Sequence, residues 1–236
     1  MSFDQYLWRW LDTRRFCDEA KDDIAKVLRT YDCHLVYLLT SLMDELGVPA
    51  KEKSTRLLPI ILQQVVIHLA DDIADGDCNL YESPSVQGVT TLCSLQNSIA
   101  ICVLDLSISN DNKMSFFSML QKVGEGQHIE ISTPRWDLPK AKEAAKYLNG
   151  YLYSAYFQLV FANTPFEQNP HHLGMNFGVA NHIATDIDSQ DIRYTQLTVS
   201  DQADLRRWAL DGIVSLSHSN ISTLQKYGQG LIRSLL

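Results

Sequence analysis

The chain has 236 residues, of which 45% are hydrophobic, so it can bury a full core and we expect a single domain over residues 1–236. Its formal net charge of −8 argues against nucleic acid or an anionic membrane as the main partner, because both require clustered Lys and Arg. The five cysteines are odd in number and show no CxxC pairing, which indicates neither a disulfide framework nor a zinc site. No apolar run reaches the roughly 18 residues of a membrane helix and no signal-peptide pattern opens the chain, so the sequence predicts a soluble, cytoplasmic protein without a transmembrane segment.

Helical periodicity extends along nearly the whole chain. Apolar residues spaced three and four apart predict an amphipathic helix over 18–46 that stops near Gly47 and Pro49. The same pattern predicts further helices, in chain order, over 54–76, 85–109, 113–131, 139–163, 173–191, 200–219 and 220–235. The sequence therefore predicts an all-α, single-domain antiparallel bundle of about eight helices.

The second predicted helix ends in four carboxylates within seven residues. Asp71, Asp72, Asp75 and Asp77 directly follow the apolar stretch 57–67. At helical spacing, the first and third of these carboxylates lie one turn apart on one face, with the second beside them. Such closely spaced oxygen ligands suit Mg²⁺, which takes its remaining ligands from water and substrate phosphates. The cluster predicts metal-dependent handling of a diphosphate. The alternative is a solvated helix end followed by a polar loop.

A later predicted helix also ends in carboxylates and polar oxygens. Asp186 and Ser189 are three residues apart and share one face, whereas Asp188 and Asp191 share the adjacent face. Two acidic helix ends facing each other would form a polar, metal-binding rim above an apolar shaft. The alternative is that Asp188 and Asp191 are surface residues next to Arg193.

Four segments resemble, in chain order, motifs of the class I isoprenoid synthases, in particular the trans-prenyltransferases or polyprenyl diphosphate synthases. Residues 68–75 (HLADDIAD) resemble the first aspartate-rich motif, and residues 126–130 (GQHIE) resemble the family's Gly-Gln-x-x-Asp helix. Residues 173–186 resemble the helix that leads into the second aspartate-rich motif, and residues 194–197 weakly resemble the segment that follows this motif. The resemblance spans roughly residues 55–200 and implies the isoprenoid synthase fold, with a central apolar cavity.

The chain also departs from the family pattern. No basic residue occurs in segment 78–82, where family members carry an Arg pair after the first motif, and Thr185 replaces the first Asp of the second motif. The chain also lacks the N-terminal Gly-Gly-Lys-type segment with which family members bind isopentenyl diphosphate. These losses affect chain elongation most, because condensing two diphosphates requires cations for both. Chemistry on a single diphosphate is affected less.

The resemblance therefore implies Mg²⁺-dependent ionisation of an isoprenoid diphosphate of the farnesyl or geranylgeranyl class and transfer of the prenyl group to a peptide or small-molecule acceptor. ComQ-type enzymes, which prenylate a tryptophan in a bacterial signalling peptide, are similar shortened relatives. Two alternatives stay open. One is a class I terpene cyclase. Residues Thr185–Ser189 match the centre of the metal-binding motif of these cyclases, and Arg193 stands where that motif has Glu. The other is a catalytically inactive, synthase-like binding or regulatory protein. Family synthases are often dimers, which suggests a homodimer.

The resemblance also assigns roles to individual residues. It implies Asp71, Asp72, Asp75 and Asp186 as catalytic residues and metal ligands, with Ser189 as a further metal ligand. His68, one turn before the first cluster, either orients a carboxylate or pairs with one. Aromatic rings in the pocket would stabilise a cationic carbon much as they stabilise ammonium ions. The implied substrate contacts are His68, Val66, Ile67, Gln127, Glu130, Arg135, Tyr153, Phe157 and His182.

Overall fold

The computed structural model describes residues 3–14, 16–31, 35–81, 83–166 and 169–236, and these residues contain α-helices and no β-strand. Two π-helical turns interrupt the α-helices: Pro84–Gly88 leads into α5, and Lys146–Gly150 joins α7 to α8. The α-helices of the described residues are α1 (Phe3–Thr13), α2 (Asp18–Thr30), α3 (Leu35–Glu45), α4 (Ala50–Asp75), α5 (Val89–Leu104), α6 (Asn110–Ser132), α7 (Leu138–Ala145), α8 (Tyr151–Phe161), α9 (Pro170–Ser189), α10 (Ile192–Thr195), α11 (Val199–Ser217) and α12 (Ser222–Leu235).

The all-α prediction is confirmed, but the described residues form twelve α-helices rather than about eight. The predicted helix over 18–46 is two helices, because the backbone leaves the helical region at Tyr31, with φ −95° and ψ 107°. The N-terminal helix α1 and the single turn α10 were not predicted. Periodicity identified the long helices well and missed short ones, which carry too few apolar positions to show a period.

The chain divides into two compact units. The N-terminal unit comprises Met1–Thr40 and Val48–Ser107, and the C-terminal unit comprises Ser41–Gly47 and Ile108–Leu236. The assignment of residues 1–236 to a single domain stays a prediction.

In the N-terminal unit, α4 is the core helix and packs against α5, α2 and α1. Its interior residues Leu57–Leu62 are all buried. Gly88, just before α5, lies so close to α4 that an added Cβ would sit 3.2 Å from Cγ1 of Ile73 and 3.7 Å from the Tyr81 ring. The packing of α5 on α4 therefore holds the chain that follows the acidic end of α4.

Two described helices are long and apolar enough to cross a membrane when judged by length and composition alone: Ala50–Asp75 and Val86–Leu104. Half of the apolar window in Ala50–Asp75 and 39% of that in Val86–Leu104 are buried inside the protein. These two helices are weak support for a membrane segment, and its predicted absence stays a prediction.

In the C-terminal unit, α8 is buried at every position from Leu152 to Phe161 and packs between α9 and α6. The contact with α9 is close because α9 carries Gly174 and Gly178 where it crosses the run from the π-turn to α8. An added Cβ on Gly174 would lie 2.5 Å from Cα of Ser154, and one on Gly178 would overlap the carbonyl oxygen of Asn149. Glycine at both positions lets α9 approach, which fixes where its acidic C-terminal end emerges.

Candidate functional site

The acidic end of α4 is closed by a glycine cap. Gly76 has φ 78° and ψ 13°, a left-handed conformation that glycine adopts without steric cost. The backbone N–H groups of Gly76, Asp77 and Cys78 all donate to the carbonyl oxygen of Asp72. The helix therefore stops directly after its carboxylates, and Asp77 lies beyond it rather than on its face.

The carboxylates of this cluster differ in exposure. Asp71 and Asp75 are exposed, whereas Asp72 is half-buried. The Tyr31 hydroxyl donates a hydrogen bond of 2.5 Å to Oδ2 of Asp72. Burial, and then the hydrogen bond to Asp72, raise the pKa of Tyr31 well above its usual value, so the hydroxyl stays protonated and donating. One oxygen of Asp72 is thus fixed in direction.

His68 packs against the tyrosine that contacts this carboxylate. Its ring stacks on the Tyr31 ring with 5.7 Å between centroids and 13° between planes. Its Nε2 lies 2.9 Å from Nε2 of Gln64. Tyr31 went unnoticed in the sequence because its position also fits the apolar stripe of a helix. Only the fold shows that it ends α2 and reaches Asp72.

Replacing Tyr31 with phenylalanine removes this hydroxyl while keeping the stack on His68. We expect a loss of about 1 kcal/mol in the free energy of unfolding, the usual net value of a hydrogen bond to a partly buried group. Urea unfolding followed by circular dichroism measures it. Tyr37→Phe, at a tyrosine that is 79% exposed, is the matched control and should change the value by less than about 0.5 kcal/mol. Equal effects of the two changes would contradict the assigned role of Tyr31.

Lys26 places a cation beside segment 78–82, which itself contains no basic residue. Its Nζ donates to the carbonyl oxygen of Leu80, in the segment after the acidic motif, and lies 5.3 Å from the centre of the Tyr81 ring. The sequence pattern of segment 78–82 could not indicate this cation, because Lys26 belongs to α2, 54 residues before Leu80. Of the two predicted pocket residues on α4, Val66 is buried and Ile67 is half-buried.

The second acidic cluster lies in the C-terminal unit and is organised around Arg193. Nη1 of Arg193 lies 2.5 Å from Oε1 of Glu130, and its Nε and Nη2 each lie 2.7 Å from an oxygen of Asp191. A third carboxylate, Asp186, has Oδ1 at 3.6 Å from Nη2. The guanidinium therefore bonds two carboxylates directly and faces a third. It offsets part of the negative charge of the cluster from within the chain.

Burial shifts the pKa values of Asp186 and His182, which are both buried in this cluster. It raises the pKa of Asp186 to about 7, against the opposing influence of Arg193, and lowers the pKa of His182 to about 3. Nε2 of His182 lies 3.5 Å from Oδ2 of Asp186. At neutral pH His182 is thus uncharged, and Asp186 gives up its proton only near neutrality.

This shift predicts a pH-dependent stability. The pKa of Asp186 is higher in the folded than in the unfolded protein, so at this carboxyl the folded state binds more protons and its contribution to stability falls as pH rises toward 7. The lowered pKa of His182 acts in the opposite direction, so the comparison with a variant at position 186 is what isolates the carboxyl. Asp186→Asn cannot lose a proton, so from pH 5 to pH 8 it should gain on the order of 2 kcal/mol relative to wild type. Urea unfolding at both values measures this, with exposed Asp188→Asn as control. A difference that does not change with pH would contradict the shift.

The remaining predicted site residues of the C-terminal unit lie as follows. The Ser189 hydroxyl is exposed and donates to the carbonyl oxygen of Thr185 at 2.8 Å. Arg135 is exposed and Gln127 is half-buried on α6. The Tyr153 and Phe157 rings are buried and pack on Phe177, with centroids 5.0 and 5.9 Å away. These two aromatic rings belong to the interior packing of this unit.

Magnesium fits the two clusters unequally. Among the described residues, no three His, Cys, Asp or Glu side chains form a group that could hold a metal ion by themselves. Mg²⁺ needs only one or two carboxylates when waters and substrate phosphates complete its shell, and exposed Asp71 and Asp75 beside Asp72 meet that need. In the second cluster the oxygens of Glu130, Asp191 and Asp186 already face Arg193. The carboxylates at the end of α4 are therefore candidate Mg²⁺ ligands, whereas those around Arg193 already have a cationic partner.

No protein-family model and no curated protein sequence matches the chain. Solved structures match it over nearly its whole length. A geranyltransferase from Legionella pneumophila aligns with a TM-score of 0.75 and 13% identity, covering 98% of this chain and 93% of its own. An isoprenoid synthase family member from Thermotoga neapolitana aligns with a TM-score of 0.76 and 12% identity, covering 98% of this chain and 97% of its own. A geranyltransferase from Helicobacter pylori aligns with a TM-score of 0.70 and 14% identity, covering 99% of this chain and 95% of its own. The chain has the isoprenoid synthase fold, which confirms the resemblance at the level of fold.

Proposed function

We propose that this protein is a prenyltransferase that binds one isoprenoid diphosphate, of the farnesyl or geranylgeranyl class, at the acidic end of α4. The observation that carries the proposal is the arrangement of exposed Asp71 and Asp75 beside Asp72, whose carboxylate Tyr31 holds in place. The similarity to geranyltransferases supports the reaction class, and the diphosphate is the substrate type that exposed carboxylates with Mg²⁺ would select.

Asp71, Asp72 and Asp75 would hold Mg²⁺, which when bound neutralises a departing diphosphate. Tyr31 fixes the direction of one Asp72 oxygen, and His68 and Gln64 support Tyr31, so the carboxylate is oriented before substrate arrives. Lys26 is our candidate for a direct phosphate contact on this side. Buried Val66 and half-buried Ile67, one to two turns before the carboxylates, would face the prenyl chain, for which their aliphatic side chains leave more room than aromatic ones.

The other predicted site residues lie outside the acidic end of α4 and are candidate metal ligands or substrate contacts. Glu130 and His182 belong to the Arg193 network, and Asp186 and Ser189 stay candidate metal ligands. The Ser189 hydroxyl donates its proton to the Thr185 carbonyl oxygen and keeps its oxygen lone pairs for a cation. Gln127, Arg135, Tyr153 and Phe157 stay candidate substrate contacts. A single-diphosphate reaction agrees with a second cluster whose carboxylates already pair with an arginine. A homodimer and a cytoplasmic location stay part of the proposal; the free thiols of Cys17, Cys78, Cys93 and Cys102 support the latter.

The test is incubation with farnesyl diphosphate and Mg²⁺, with measurement of released inorganic diphosphate and analysis of the organic products by mass spectrometry. We expect diphosphate release above that of the same reaction with EDTA, and a prenylated product when a tryptophan-containing peptide is the acceptor. A cyclic hydrocarbon would instead identify the terpene cyclase alternative. Absence of diphosphate release would contradict the proposal and favour the non-catalytic binding protein.

A further inference from the structure

A cleft of about 530 Å³ lies in the N-terminal unit, where the end of α1 and the chain that leads to α2 face α5. Its volume is within the range of sites that hold small organic molecules. The α5 residues that line it share one face of the helix, because they lie three and four positions apart. Most of the lining has surface open to solvent, so a ligand can reach it: Thr13, Asn97 and Ile101 are exposed, and Arg14, Phe16 and Ser94 are half-buried.

Arg14 brings a positive charge to this cleft. Its guanidinium lies over the Trp10 ring, 5.5 Å from the centre, and its Nη2 lies 4.0 Å from Sγ of Cys102. Burial raises the pKa of Cys102 to about 11, so this sulfur is an uncharged thiol at neutral pH. Asp12, two residues earlier, pairs with Lys21 at 2.7 Å. In the part of the chain that the structure describes, no carboxylate pairs with Arg14, so most of its N–H donors are left for an anion.

The hydroxyl groups of the cleft are hydrogen-bond acceptors. Oγ1 of Thr13 donates to the carbonyl oxygen of Trp10 at 2.9 Å, and Oγ of Ser94 donates to that of Thr90 at 3.1 Å. Buried Ser98, which also lines the cleft, donates in the same way to the carbonyl oxygen of Ser94. Each hydroxyl has used its proton within its own helix and keeps its oxygen lone pairs. A ligand that pairs with them brings O–H or N–H donors as well as a negative charge.

An aromatic ring and an aliphatic side chain complete the lining. The half-buried Phe16 ring packs edge-on against Trp10, with centroids 6.3 Å apart and planes at 70°, and Ile101 is 47% exposed. Accessible aromatic rings are surfaces on which nucleobases stack. The cleft thus combines a guanidinium, hydroxyl acceptors and an aromatic ring, which match the phosphate, ribose and base of a nucleotide.

We propose that this cleft is a second binding site, which takes a nucleoside monophosphate without a metal ion. The phosphate accepts hydrogen bonds from Arg14 and from the amide of Asn97. The ribose hydroxyls donate to Thr13 and Ser94, and the base lies on the Phe16 ring. A monophosphate suits a single guanidinium, whereas longer phosphate chains usually bind with Mg²⁺. The site is separate from the carboxylates of α4, so the proposal does not rest on the prenyltransferase reaction.

The test is calorimetric titration in EDTA with adenosine monophosphate (AMP), compared with adenosine, which lacks the phosphate, and with ribose 5-phosphate, which lacks the base. We expect AMP to bind, and the other two to bind about tenfold or more weakly. Arg14→Gln should weaken AMP binding about tenfold or more, and Ser94→Ala, which removes one acceptor, about threefold. Phe16→Leu should weaken binding of AMP and leave that of ribose 5-phosphate unchanged, a difference that a general loss of structure would not produce.

Arg9→Gln, at an exposed arginine of α1 outside the cleft, and Asp72→Asn, at the proposed diphosphate site, are the controls and should leave the affinity for AMP unchanged. The melting temperature of each variant shows whether it is folded. Absence of AMP binding, binding of adenosine as tight as that of AMP, or an affinity that Arg14→Gln does not lower overturns the proposal. Because EDTA is present throughout, none of these results depends on the Mg²⁺ site at α4.

Discussion

Replacing Arg193 with methionine should lower the free energy of unfolding by about 3 kcal/mol, the cost of removing one partner from a largely buried ion-pair network. The substitution keeps the volume of the side chain but leaves Glu130 and Asp191 without their shortest contacts and Asp186 without its facing cation. Urea unfolding at pH 8, where all three carboxylates are ionised, measures the effect most fully.

The matched control is Arg207→Met, because Arg207 is exposed and has a single carboxylate at 3.5 Å; it should cost less than about 0.5 kcal/mol. If Arg193 stands in for a cation, Mg²⁺ should raise the melting temperature of Arg193→Met more than that of the wild type. A small loss of stability in Arg193→Met, comparable with the control, would contradict the role assigned to this guanidinium.

Replacing Asp72 with asparagine should reduce Mg²⁺-dependent diphosphate release from farnesyl diphosphate by about a hundredfold or more, because the carboxylate that Tyr31 orients no longer carries a charge for the metal. The asparagine oxygen can still accept the Tyr31 hydrogen bond, so the fold and the His68 stack should be kept. The rate of diphosphate release at saturating substrate and Mg²⁺ is the quantity to compare.

Asp105→Asn is the matched control, since Asp105 is an exposed carboxylate at the C-terminal end of α5 in the same unit. Its rate should equal that of the wild type. Retention of the wild-type rate in Asp72→Asn would show that the acidic end of α4 is a solvated helix terminus, the alternative that the sequence left open.

The sequence predicted the class of fold and the position of both acidic clusters, because these depend on local patterns. The apolar stretch before Asp71 has to be buried in any helical fold, and Gly76 stops the helix through its own backbone freedom. The contact of Tyr31 could not be predicted in this way, since its hydroxyl donates to a carboxylate 41 residues later.

The limit of prediction from sequence is clearer at the acidic cluster around Arg193. Its helix and carboxylates were predicted, and Arg193 was noted as a neighbour of Asp188 and Asp191. The fold instead directs Arg193 to Asp191, Asp186 and Glu130, the last of them 63 residues away in α6. A resemblance between motifs cannot show this, because the motif has the right carboxylates whether a metal ion or an arginine neutralises them.

Calorimetric titration of the wild type with farnesyl diphosphate, with Mg²⁺ and again with EDTA, tests the central claim most directly. We predict that Mg²⁺ adds a binding event that is absent in EDTA and absent in Asp72→Asn. Titrations that are the same with and without Mg²⁺, or that show no binding in either, would contradict a metal-dependent diphosphate site at the end of α4.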